Sequence, residues 1–119
     1  MTVERKNRKM NRKTIFEEVK KRVADSIAKF NRENFADWEI AYVARFKGLH
    51  LYLDRRAFGS VTRVCRLTFT GEPKHEWDFA IFKYSTEQYS PDEFCFPGDD
   101  QVDGTVEGAL RAGMEAYPP

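Results

Sequence analysis

The stretch DWEIAYVARFKGLHLYL, residues 37–53, decides the fold. Before it, apolar residues recur at helical spacing; from Asp37 onward the period falls to two. Trp38, Ile40, Tyr42, Ala44 and Phe46 alternate with polar or small residues, the pattern of a strand with one face on a core. Lys47 and Gly48 make a tight turn, after which Leu49, Leu51 and Leu53 alternate again. Two strands joined by so short a link pair antiparallel.

Downstream, RRAFGS (55–60) leads into VTRVCRLTF (61–69), which sends Cys65, Leu67 and Phe69 inward. Gly71 and Pro73 in TGEPKHE (70–76) supply a turn. WDFAIFKY (77–84) then points Trp77, Phe79 and Ile81 the same way. Upstream, Phe16, Val19, Val23, Ile27 and Phe30 form one face of a helix. Thr14 and Glu17 have the spacing of a capping box, and Asn34 suits the helix end. Glu17–Lys21, Glu18–Arg22 and Asp25–Lys29 are favourable pairs one turn apart. At the far end Val106, Ala109, Leu110, Gly113, Met114 and Tyr117 make a second helical stripe, stopped by Pro118-Pro119. The expected architecture is α+β over residues 14–119. It has an N-terminal helix, a four-stranded antiparallel meander and a C-terminal helix, with both helices on one sheet face. Residues 1–13 are expected to form a flexible basic arm.

A chain of 119 residues supports one hydrophobic core. It lacks an apolar run long enough to span a bilayer, and its start lacks the apolar region of a secretory signal. Its two cysteines, Cys65 and Cys95, are too few for a disulfide scaffold. A cytoplasmic protein with no membrane partner is expected. The net charge of +1 conceals a gradient. Residues 1–13 carry six Lys/Arg against one Glu, and residues 85–119 carry Arg111 against eight Asp/Glu.

Catalytic signatures are absent: there is no G-x-S-x-G, phosphate-binding loop, G-x-G-x-x-G or H-E-x-x-H. The expectation is no catalytic residue and no cofactor. The acidic stretch GDDQVDGTVEG (98–108) resembles the opening of a calcium loop, with Asp99, Asp103 and Glu107 as weak metal candidates. The position that needs a bidentate Glu is Leu110, on the apolar stripe, and Thr105 or Asp103 serves better as a helix cap. No metal is expected.

The sheet face turned away from the helices is more informative. Alternation sends Val43, Arg45, His50, Tyr52, Val64, Arg66, Phe82 and Tyr84 outward, too apolar and too arginine-rich a set for a merely solvated face. Residues 85–104 form a long connection whose Tyr89, Phe94 and Phe96 are expected to pack across that face. The candidate binding residues are therefore Arg45, His50, Tyr52, Arg66, Phe82, Tyr84, Tyr89, Phe94 and Phe96. The leading expectation is a non-catalytic binding module that self-associates as a homodimer through this face. Nucleic acid or a small anionic ligand, held by the same face with the basic arm, is the alternative. A small enzyme with a pocket under residues 85–104 is a third. WDFAIFKYS (77–85), Tyr89, Pro97-Gly98 and GTVEGALRAGMEAY (104–117) resemble the layout of small uncharacterised bacterial proteins. The resemblance implies a bacterial cytosolic protein and assigns no chemistry.

Overall fold

The computed structural model describes residues 14–93 and 95–119; the arm over residues 1–13, and Phe94, lie outside the described residues. Helix α1 spans Glu17–Asn34 and buries Val19, Val23 and Ile27 on its inner face. The capping box is not formed among the described residues: Phe16, and not Thr14, stands at the N-cap, with no side-chain cap hydrogen bond. Apolar anchoring takes its place. Ile15 is buried, and Phe16 packs edge-on against Phe69 with ring centroids 6.4 Å apart. Arg22 reaches Glu76 across to the sheet, with nitrogen–oxygen distances of 2.9 and 3.2 Å, rather than pairing along the helix with Glu18.

The sheet is antiparallel throughout, in the order β1 (Ile40–Lys47), β2 (His50–Ala57), β3 (Ser60–Glu72), β4 (His75–Lys83) and β5 (Gln88–Ser90). The fifth strand corrects the four-stranded expectation. It pairs Tyr89 with Phe82 inside the connection that was expected to hold no element. A short 3₁₀ turn, Asp99–Gln101, follows in the same connection. Trp38 also departs from expectation, being 81% exposed in the turn before β1. Asp37 closes that turn: its side chain accepts the Glu39 N–H at 2.9 Å and its carbonyl the Ile40 N–H at 3.0 Å. A local Asx turn thus outcompetes continuation of the strand.

Strand β3 carries a bulge. Leu53 pairs with Cys65 but Asp54 pairs with Arg63, leaving Val64 as the extra residue. Val64, expected outward, is fully buried toward the helices, and Arg63 is turned out instead.

Helix α2 spans Val106–Ala116 and starts at Thr105, whose hydroxyl accepts the Gly108 N–H at 3.0 Å. It lies on the same sheet face as α1. Gly113 allows the close approach, because a Cβ there would meet the Tyr42 hydroxyl and stand 2.6 Å from Val64 Cγ1. Leu51, Leu53, Leu67, Trp77 and Leu110 lie almost wholly out of solvent between the layers. Each such side chain contributes about 1.5–3 kcal/mol of burial free energy. Among the described residues, no helix is long and apolar enough to cross a membrane.

Candidate functional site

Antiparallel register aligns outward residues in rows across the outer face. Arg45, Tyr52, Arg66 and Ala80 fall in one row, and His50, Thr68 and Asp78 in the next. The bulge brings Arg63 beside Asp54, and β5 adds Tyr89 beside Phe82. Tyr89 is the centre of an aromatic floor, with ring centroids 5.3 Å from Tyr52 and 4.9 Å from Phe82, both in edge contacts.

Guanidinium groups lie over this floor. Arg45 stands 4.7 Å over Tyr52, Arg66 5.5 Å over Tyr89 and Arg63 5.5 Å over Phe82. Of these three, Arg45 alone has a carboxylate partner among the described residues: its Nε donates to Asp54 at 2.7 Å, and Nη2 reaches the other oxygen at 3.4 Å. That bond raises the Arg45 pKa, although burial opposes it. Arg56, Arg63 and Arg66 make no ion pair among the described residues. The Nε of Arg66 and the hydroxyl of Tyr89 are buried without a hydrogen-bond partner among the described residues. Burial, and then the Asp54 charge, push the Tyr89 hydroxyl above its ordinary pKa.

His50 sits at the margin, its Nδ1 2.9 Å from the Thr68 hydroxyl and its ring 6.0 Å from Tyr52. Partial burial lowers its pKa, and the nearby positive charges of Arg66 and Lys47 lower it further.

The face therefore unites Arg45, His50, Tyr52, Arg66 and Tyr89, as alternation and the 85–104 segment had indicated. Other candidates fall elsewhere. Phe82 is only 3% exposed, so it supports the floor and offers no surface for contact. Tyr84 is at the rim beyond β4, its hydroxyl donating to the Arg63 carbonyl at 2.8 Å. Phe96 lies on the helix side, stacked on Phe79 at 5.8 Å between centroids. Among the described residues of the connection, Tyr89 is the aromatic whose ring meets the outer face. The connection turns back to the helix side, where Gly104 accepts the Trp77 N–H at 3.0 Å, and with β4 it bounds an open groove of about 690 Å³. His75 and Asp78 line that groove as a pair 3.1 Å apart, each side chain more than half exposed.

The acidic residues have separate local roles. Asp103 accepts from the backbone and hydroxyl of Thr105, Glu107 accepts from Ser26 at 2.8 Å, and Asp99 opens the 3₁₀ turn. Among the described residues, no group of three or more His, Cys, Asp or Glu side chains is placed to hold a metal ion. The buried Cys65 thiol is pushed well above its ordinary pKa by desolvation, which suits an inert core residue.

Two parts of the face escaped sequence reasoning. Arg63 follows an inward-looking register until the bulge shifts it, and nothing local in VTRVCRLTF marks a bulge. Asp54 was readable, since it lies two residues from Tyr52 on the same strand face.

No protein-family model, curated protein or solved structure matches the chain.

Proposed function

We propose that the protein is a non-catalytic binding module whose outer sheet face holds the phosphate backbone of a nucleic acid. The observation that carries this reading is the separation of charge. Arg45, Lys47, Arg56, Arg63 and Arg66 share the outer face with Asp54 and Asp78, and Asp54 is already engaged by Arg45. Asp99, Asp100, Asp103, Glu107 and Glu115 belong instead to the turn and helix layer. Five of the eight acidic residues of the C-terminal third therefore lie off the basic face, and a sixth, Glu93, is paired with Lys83 at 3.0 Å.

Contact would be made by the donor edges of the arginines, with base stacking playing little part. Phe82 is buried, and the ring faces of Tyr52 and Tyr89 already carry guanidinium groups. Arginine so placed is held rigid by the ring beneath it and presents its donors to phosphate oxygens. Such binding is largely indifferent to base sequence and falls steeply with salt.

Self-association through the same face is the weaker reading. Two copies face to face would bring like charges together.

The reading is tested by titrating the isotopically labelled full chain with a single-stranded oligonucleotide and following backbone amide resonances. Shifts concentrated on outward residues of β1–β4 are expected. Shifts concentrated on α1 and α2 would refute the assignment.

A further inference from the structure

The large hydrophobic side chains left exposed among the described residues are Trp38 at 81%, Phe58 at 61%, Val61 at 62% and Tyr84 at 48%. All four stand at one end of the sheet. Trp38 precedes β1, Phe58 is in the β2–β3 turn, Val61 is the second residue of β3 and Tyr84 follows β4. The Phe58 N–H donates to the Glu39 carbonyl at 3.2 Å, joining the first two turns, and Tyr84 bonds the Arg63 carbonyl beside Val61. Adjacent strands are about 4.8 Å apart, so four of them carry an apolar strip of roughly 15 Å.

Phe58 is the most telling of the four. It has φ 52° and the following Gly59 has φ 88°, the pattern of a two-residue hairpin turn in which both central residues are left-handed. Asn, Asp or Gly fits the first position without strain. Here an aromatic occupies it and points its ring at solvent, a choice that serves neither the turn nor the core.

Charge at this end is mixed, whereas basic residues predominate on the outer face. Asp37 and Glu39 flank Trp38, Arg56 is paired across the strands with Val61, and none of the three charged groups makes an ion pair among the described residues. A surface with apolar residues and both signs of unpaired charge is complementary to itself. We infer that this end of the sheet binds a second copy of the chain about a two-fold axis, with Trp38, Phe58 and Val61 at the centre. Asp37 and Glu39 of each copy then face Arg56 of the other. The interface is small, so exchange between monomer and dimer is fast and depends on concentration. Arg45, Lys47, Arg63 and Arg66 remain free for the partner proposed above, and Arg56, near the end of β2, is taken up by the contact between copies.

Sedimentation velocity over a concentration series tests this with the full chain. Wild-type protein is expected to show a weight-average sedimentation coefficient that rises with concentration. W38S/F58N is expected to remain monomeric while its melting temperature holds or rises, because Asn suits the left-handed position at residue 58. R45A/R66A, altered only on the outer face, is expected to associate as wild type does. A charge exchange gives an independent reading: R56E alone and D37K/E39K alone are monomeric, and their equimolar mixture associates. The inference is overturned by wild type that stays monomeric throughout, by W38S/F58N that dimerises undiminished, by loss of association in R45A/R66A, or by a mixture that fails to recover it.

Discussion

The side-chain amide of Asn31 on α1 holds both backbone polar groups of Tyr42 on β1: Nδ2 donates to the Tyr42 carbonyl at 3.1 Å, and Oδ1 accepts its N–H at 2.9 Å. Strand β1 is the first of the sheet and, among the described residues, has no neighbouring strand on that side. An amide side chain thus stands where a further strand would pair, closing the edge at its middle. Asn31→Ala removes both bonds and is expected to lower unfolding stability by about 1–3 kcal/mol. Chemical denaturation measures the loss. Size exclusion should show new association through the opened edge, and unchanged stability would mean the pair is dispensable.

Gly113→Ala is expected to destabilise the protein although alanine favours helices by about 1 kcal/mol. The new methyl would collide with the Tyr42 hydroxyl and Val64, and Tyr42 is fixed by a 2.8 Å bond to the Leu110 carbonyl. Overpacking of this kind costs about 1–3 kcal/mol, so a net loss should appear in thermal melts. A stabilised variant would show that α2 stands off the sheet.

Asp54 restrains Arg45 and neutralises part of the outer face. Asp54→Asn is expected to change two properties in opposite directions. Stability should fall by about 1–3 kcal/mol as the charge-assisted bond weakens, while affinity for a single-stranded oligonucleotide should rise. Denaturation and anisotropy on the same preparation separate the two. A fall in both would place the carboxylate on the side of binding.

His50 contributes a pH dependence to both stability and binding. Its pKa is lowered in the fold by burial and by Arg66 and Lys47. Its contribution to stability is therefore fully present above the unfolded value of about 6.5 and is lost as pH falls through the lower folded value. Protonation also adds a positive charge to the outer face, so oligonucleotide affinity should increase over the same acid range. His50→Gln should flatten that part of the affinity profile; an unaltered profile would remove His50 from the site.

The residues that were legible and those that were not differ in the range of the forces acting on them. Val19, Val23 and Ile27, and the alternation of Leu51 and Leu53, report burial directly, and both helices and most of the sheet follow from them. Trp38 and the Thr14–Glu17 cap were misread because local signals compete: an Asx turn ended one pattern, and apolar docking of Ile15 and Phe16 displaced the other. The bulge at Val64 was invisible because nothing in its own strand demands it. It matches β3 to β2 while bringing Val64 under Gly113, a contact with a residue almost fifty positions away. Arg63 joined the outer face for that same reason. The course of residues 91–104 was unreadable in the same way, because Phe96 can satisfy its ring on either side of a sheet and only Phe79 decides which.

The central claim is most directly tested by the salt dependence of binding. Fluorescence anisotropy of a labelled single-stranded oligonucleotide would be titrated with wild-type full chain and with R63A/R66A across a salt series. Each arginine that neutralises a phosphate contributes about one to the slope of log affinity against log salt. The basic arm is common to both proteins, so it cancels in the comparison. The expected result is weaker binding by R63A/R66A at every salt concentration, with a slope shallower by about two. Equal affinity and equal slope in the two proteins would contradict the assignment of the outer face.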